Sequence, residues 1–448
     1  MSLHHLLRSR AEAGRPVRVG LIGAGKFGSM FLAQARRTPG LHVMGVADLS
    51  PDRARAALAR VGWPREAYAA ASFAEAVATG ATCVGDEAQA LIRAGGLDVV
   101  VEATGHPGAG LGHAALAIEN GRHVVMVNVE ADVLAGPLLA ERARKAGLVY
   151  SLAYGDQPAL IAELVDWART AGFEVVAAGK GTKYLPAYHA STPETVWGHY
   201  GFSAEQVASG DFNARMFNSF LDGTKSAIEM AAVANACRLK PPDDGLAFPP
   251  CGADDLAHVL RPRAEGGALA ERGMVEVVSS LERDGRPVAR DLRWGVYVVI
   301  AAEDDYVRRC FADYGLKTDA SGRYAATYKP YHLIGLELGI SVASAALRGE
   351  PTGCARAFSG DAVAVAKRAL KVGETLDGEG GFTVWGKLIP AARSLGENAL
   401  PIGLAHGVRL RQAVAAGAIL RWSDVEIDAA DAAVRLRREM ERLAGAIV

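Results

Sequence analysis

The sequence predicts an α/β protein: a doubly wound Rossmann domain, an α+β domain after it, and a small β-rich module at the C-terminal end. Three observations carry this. VRVGLIGAGKFG, residues 17 to 28, runs from a hydrophobic strand through three glycines into a helical pattern. Strand and helix patterns then alternate over residues 16 to 155, as a parallel sheet requires. After Gly155 the alternation stops, and long polar and aromatic passages follow.

A chain of 448 residues has room for two or three domains. The reading divides it into a dinucleotide-binding domain (1–155), a catalytic, substrate and dimerisation domain (156–371) and a C-terminal module with a terminal helix (372–448). Half of the residues are hydrophobic and the net charge is −1, so charge gives no reason to expect nucleic acid or a membrane surface as partner. MSLHHLLRSRAEAGR carries no apolar signal core and the apolar runs are strand-length, so the expectation is a cytoplasmic protein. The five cysteines are odd in number and lack CxxC spacing, which argues for plain thiols and against disulfides or a zinc site.

In the glycine turn each glycine has its own task. Gly23 makes the tight turn, Gly25 lets backbone N–H groups approach a pyrophosphate, and Gly28 lets the helix pack closely on the strand, with Lys26 and Phe27 between them. The second strand, LHVMGVAD, ends at Asp48, about twenty residues on, where an acid accepts the ribose hydroxyls of NAD and repels the 2′-phosphate of NADP. Arg53 lies close enough in sequence to reach that phosphate, so the residues leave NAD or NADP open. Ser50 and Pro51 open the next helix. A third strand, LDVVVEATG, ends in Thr104, Gly105 and His106, and a later one ends at Asn128; strand ends of this kind line the nicotinamide side.

Substrate groups are expected beyond Gly155. GKGTKYLP places Lys180 and Lys183 at a strand end, a cationic pair suited to an anionic group. In FNSFLDGTKSAIEM a turn at Asp222 opens a helix that sets Lys225 and Glu229 four residues apart on one face. A lysine there can polarise a carbonyl or hold a phosphate while a carboxylate moves a proton. The same pattern also describes an exposed salt bridge. Two strands from Val275 to Ala301 flank a DGRP turn as in a hairpin, and Lys329 and His332 stand at the entrance of an apolar helix, where His332 either contacts substrate or simply starts the helix. VAVAKRALKVGETLDGEGG reads as a basic helix followed by a glycine-rich turn. The acidic pairs Asp254-Asp255 and Asp304-Asp305 lack a third ligand at metal spacing and read as solvated turns, so no metal site is expected from the residues.

GAGKFG, VVEATG and HVVMVN resemble the cofactor domain of homoserine dehydrogenases, although Asn128-Val129 stands where that family has an Asn-Lys pair. GKGTKYLP, FNSFLDGTKSAIEM, KPYHLIGLE, KVGETLDGEGG and AAGAILRWSDV, spread over nearly the whole chain, resemble the DRL family, the 1-deoxy-D-xylulose 5-phosphate reductoisomerase-like proteins. That resemblance implies a Rossmann domain with a C-terminal SAF-like module, NADPH as cofactor, and reductive isomerisation or reduction of a small phosphorylated or carboxylated hydroxy-carbonyl compound. Such a reaction needs cations for the anionic group, an oxyanion stabiliser and a proton carrier. Lys180, Lys183 and Lys225 suit the first two needs, and Glu229 or His332 the third. A divalent metal takes the oxyanion role in ordinary reductoisomerases, and metal dependence stays open. A homoserine-type dehydrogenase without rearrangement and a non-catalytic redox or ligand sensor are the alternatives. A homodimer or higher homo-oligomer is the base-rate expectation.

Overall fold

The computed structural model describes residues 2–209 and 212–444. Its contacts gather the chain into two compact units, residues 1–160, 332–356 and 435–448 in one and residues 161–331 and 357–434 in the other.

The first unit is built on six strands: β1 (Val17–Ile22), β2 (Leu41–Ala47), β3 (Cys83–Gly85), β4 (Val99–Glu102), β5 (His123–Met126) and β6 (Tyr150–Leu152). They lie in the order β3-β2-β1-β4-β5-β6, every neighbouring pair parallel. Val99, Val100 and Val101 are buried without trace of exposure, as expected where both faces of a parallel sheet are covered. The strand order reverses between β1 and β4, which opens a crevice at their carboxyl ends. The turn after β1 leads into a helix, Lys26–Ala35, and Ser50 and Pro51 cap and start the helix Pro51–Arg60 as the sequence predicts. The helix Gly339–Arg348 returns to this unit: Leu338, Val342 and Ala343 share a core with Val19, Leu21 and Val99. Consecutive cuts at 155 and 371 cannot express that, because a helix with an apolar face joins whichever sheet covers it.

The second unit contains β7 (Glu174–Thr182), β8 (Met274–Ser279), β9 (Val296–Ala301) and β10 (Tyr324–Lys329) in the order β10-β9-β7-β8. The expected hairpin over Val275 to Ala301 does not form. β7 lies between the two strands, parallel to β8 and antiparallel to β9. The DGRP turn closes only a local excursion, where Glu282 N–H donates to the Arg286 carbonyl. Five further strands follow: β11 (Gly360–Ala366), β12 (Thr375–Asp377), β13 (Val384–Pro390), β14 (His406–Leu410) and β15 (Val425–Glu426). β11 pairs antiparallel with β13, and β12, β14 and β15 form a small sheet. The basic helix expected at VAVAKRALK is therefore strand β11 with a turn after it. The alternating valines and alanines fill a fully buried strand, a periodicity that a short apolar run cannot distinguish from a buried helix.

The helix Thr224–Cys237 packs against β7, β8, β11 and β13, and every residue in it except Lys225 is buried. Its entrance is fixed by Asp222, whose side chain is completely enclosed and paired at 2.8 Å with Lys367, just after β11. Lys367 also donates to the carbonyls of Ser191 and Gly381, both at 2.7 Å, so the ammonium is fully hydrogen-bonded. Lys367→Met would leave Asp222 buried without its cation. The variant is expected to lose about 3–5 kcal/mol of stability in urea denaturation. Pairing it with Asp222→Asn is expected to restore part of that loss.

Candidate active site

In the first unit the three glycines behave differently. Gly23 has φ of +96°, and a Cβ there would lie 2.5 Å from the Ala103 carbonyl oxygen. A Cβ on Gly28 would lie 2.4 Å from the Gly23 carbonyl oxygen, so this position fixes how closely helix and strand approach. Around Gly25 a Cβ would meet nothing within 4 Å. Gly25 is exposed and begins the helix Lys26–Ala35 without a side-chain cap, leaving backbone N–H groups directed outward as a pyrophosphate requires. Lys26 is exposed beside it, and Phe27 packs partly into the core.

Asp48 departs from its expected posture. Its side chain is 2 % exposed; one oxygen accepts the Ala24 N–H at 2.8 Å, and the other accepts the Ser50 N–H at 2.9 Å and the Arg53 guanidinium at 2.6 Å. The carboxylate thus ties the glycine turn to the end of β2, and its charge is neutralised by an arginine that is itself 63 % exposed. Asn128 is also enclosed. Its Oδ1 accepts the Ala131 N–H at 3.1 Å and so caps the next helix, and its Nδ2 faces Gly110. His106 caps the helix Pro107–Glu119 by accepting the Ala109 N–H at Nδ1, and Thr104 donates to Glu102 at 2.6 Å, with Gly105 turning the backbone at φ of +69°. These strand-end residues shape the crevice, and the bonds described run to protein groups.

In the second unit Glu229 pairs with Lys180 of β7, not with Lys225 four residues before it. Both side chains are buried, at 5 % and 7 % exposure. A buried ammonium and a buried carboxylate each cost several kcal/mol in isolation, and the pair makes both tolerable. Lys225 is half-buried, and the buried Ser226 hydroxyl has no hydrogen-bond partner among the described residues. Asp222 is fully enclosed and therefore positions the helix entrance and does not face a substrate. Its backbone carbonyl meets His189 Nδ1 at 2.7 Å. A carbonyl only accepts, so Nδ1 carries the proton and Nε2 accepts from the Tyr184 hydroxyl at 2.9 Å. Burial lowers the His189 pKa and keeps the ring neutral, stacked on Trp385 at 3.9 Å.

Lys183 donates to the His199 carbonyl at 2.5 Å and lies 5.4 Å from the centre of the Tyr200 ring. Arg293 lies 5.6 Å from the same ring. Burial first, and then Arg293, lowers the Lys183 pKa, and burial raises that of Tyr200 to about 12, so Tyr200 remains a phenol. No carboxylate pairs with either cation among the described residues. Arg293 was not singled out in the sequence, because nothing in RWG marks a site; only the fold brings it to Tyr200. His332 belongs to the first unit, and Lys180, Lys183 and Lys225 belong to the second. No group of three His, Cys, Asp or Glu side chains suited to a metal occurs among the described residues.

Three family matches cover most of the chain. Residues 17–129 match the oxidoreductase family with an NAD-binding Rossmann fold, residues 155–338 the catalytic domain of oxidoreductase DRL, and residues 361–426 the SAF domain. The chain belongs to the DRL type of NAD(P)-dependent oxidoreductases. No curated protein matches it. Among solved structures, this DRL-type chain is similar to a homoserine dehydrogenase from Thiobacillus denitrificans (18 % identity, 50 % of this chain and 49 % of that one, TM-score 0.35). It is also similar to an NAD-binding oxidoreductase from Klebsiella pneumoniae (16 %, 71 % and 67 %, TM-score 0.33). A third is biliverdin reductase from Synechocystis sp. PCC 6803 (20 %, 43 % and 55 %, TM-score 0.25). The chain spans about half the length of the homoserine dehydrogenase.

Two glycine variants separate packing from binding. Gly25→Ala meets open space and is expected to keep its stability while weakening nicotinamide-cofactor binding. Gly28→Ala is expected to lose about 1–3 kcal/mol in urea denaturation, with cofactor fluorescence titration as the second measurement.

A pH dependence follows from Asp132, which is fully buried with its Oδ1 accepting from the Tyr150 hydroxyl at 3.0 Å. Burial raises its pKa to about 7. The folded state then holds a proton that the unfolded chain, with a carboxyl near pKa ~3.9, releases. Its stabilising contribution is therefore full below that value and is lost as pH rises toward 7. Asp132→Asn is expected to match the parent at pH ~4 and to exceed it at pH ~8 by roughly 2–4 kcal/mol, read from urea midpoints.

Proposed function

We propose that this protein uses NADPH to reduce the carbonyl of a small, phosphorylated hydroxy-carbonyl compound, a 1-deoxy-D-xylulose 5-phosphate-like substrate. The observation that carries this reading is the buried Lys180–Glu229 pair, set in the segment that matches the DRL catalytic domain. The nicotinamide supplies hydride when bound.

The chain's residues supply the rest. Gly25 and the helix start behind it take the pyrophosphate. Arg53, exposed and already masking the charge of Asp48, takes the 2′-phosphate, which supports NADP over NAD. Lys180 donates to the carbonyl oxygen as negative charge develops there, and Glu229 holds the ammonium in place and takes part in restoring its proton. Lys225 lies on the same helix as Glu229, one turn earlier, and orients the hydroxyl. Two cations over one phenol, without a carboxylate between them, suit the nearly double charge of a phosphate monoester better than the single charge of a carboxylate. Lys183, Arg293 and Tyr200 are accordingly the phosphate contacts of this reading. Homodimer formation in the cytoplasm belongs to the same proposal.

The test is NADPH and NADH oxidation against phosphorylated and unphosphorylated hydroxy-ketones and aldehydes, including 1-deoxy-D-xylulose 5-phosphate. Turnover with NADPH is expected, and carbon labelling of the product then tells rearrangement from simple reduction. Glu229→Gln is expected to lower kcat at least ~100-fold with NADPH affinity unchanged. Arg53→Ala is expected to weaken NADPH roughly 10- to 100-fold and to spare NADH. Failure of both nucleotides to bind would overturn the reading.

A further inference from the structure

The β10-β9-β7-β8 sheet has two faces, and the proposed active site occupies one. Lys180 and Ala178 on β7 face the helix that carries Glu229, whereas Ala177 and Gly179 alternate to the other side. There Ala177, Tyr297 and Val299 share a core with Leu256, Ala257 and Leu260. On this far face lies a hollow of about 220 Å³. Ala253, Ala257 and Ala326 make its floor, three small apolar side chains that leave space above them.

The rim is polar and convergent. Asp254 forms ion pairs with Arg290 at 3.0 Å and with Lys317 at 2.7 Å, both cations being largely exposed, and Arg290 also donates to the Tyr328 hydroxyl at 3.2 Å. Two cations against one carboxylate leave the rim with one positive charge. Arg290 carries five N–H donors and Lys317 three, more than these bonds use. Asp254 therefore gathers the two cations over the hollow without consuming them. The backbone of Arg290 adds a second observation. It sits at φ of +50°, a left-handed conformation that a glycine adopts more easily, and its carbonyl is held by the Ala253 N–H at 2.9 Å. A strained arginine is kept where glycine would fit the backbone better, and its side chain is spent on the rim.

We propose that this hollow is a second binding site, for a small monoanionic hydroxy-carboxylate. The carboxylate takes the remaining Arg290 and Lys317 donors, the hydroxyl donates to Asp254, and a short hydrocarbon body lies on the three alanines. One negative charge balances the rim. The volume, below the ~300–1,000 Å³ of drug-sized pockets, admits a body of only a few carbons. Because the sheet separates the hollow from Lys180 and Glu229, a ligand there is not the substrate of the proposed reaction, and the site stands whether or not that reaction is confirmed.

The test is calorimetric titration of the full-length protein with sodium lactate, with neutral lactamide as control. Saturable lactate binding with a dissociation constant on the order of 1–10 mM is expected, with none for lactamide. Arg290→Gly and Lys317→Met are each expected to weaken lactate at least ~10-fold. Arg290→Gly is expected to hold or raise the Tm, because glycine suits the backbone at that position, so its loss of binding cannot be ascribed to unfolding. Lys183→Met is expected to leave lactate binding unchanged. No saturable heat up to roughly 50 mM lactate, equal binding of lactamide, or binding that survives both rim variants would overturn the proposal. Loss in Lys183→Met would move the lactate to the proposed active site and overturn it as well.

Discussion

Buried charge must be paired, and the second unit of this protein is arranged around two such pairs. Lys367 meets Asp222 where the helix Thr224–Cys237 begins, and Lys180 meets Glu229 about one and a half turns later. The first pair has every lysine donor directed at protein oxygen, which makes it a structural clamp from the SAF segment onto the entrance of that helix. The second is set beside a half-buried lysine and a buried hydroxyl that lacks a partner among the described residues. Charge placed in the interior at such cost has to be paired, and both pairs lie along one helix that the second unit encloses.

The first unit solves a different problem, the close approach of backbones. A Cβ on Gly23 or Gly28 would collide with carbonyl oxygens at 2.5 and 2.4 Å, while one on Gly25 would stand in open space. The two crowded glycines set the helix against the sheet, and the open one leaves amides for an anion. Asp48 reinforces this by bonding the Ala24 amide inside the turn. A carboxylate committed to the turn and covered by Arg53 no longer opposes a 2′-phosphate, so the electrostatics at this strand end differ from those of an acid that faces solvent.

The glycine turn and the parallel sheet, apart from its short strand β3, were legible in the sequence because each is a local pattern, a spacing or a periodicity, and the lysines at 180, 183 and 225 stood out by their places at a strand end and a helix start. The hairpin reading of Val275 to Ala301 failed for the opposite reason. Two strands with a turn signal between them look the same whether they pair with each other or admit β7 between them. VAVAKRALK likewise presents an apolar run that fits a buried helix or a buried strand, and only its partner β13 selects the strand.

Local pattern determined the fold class, the dinucleotide turn and which residues were chemically worth attention, because glycine conformation and side-chain periodicity are properties of short stretches. Tertiary structure decided the partners. Glu229 bonds Lys180, 49 positions away, in preference to the lysine one turn before it, and Asp222 bonds a lysine from the far end of the chain. Arg293 reaches the same tyrosine as Lys183 although nothing in its neighbourhood announces it. Electrostatic pairing depends on distance in space and on the exclusion of water, and neither is written in the order of residues.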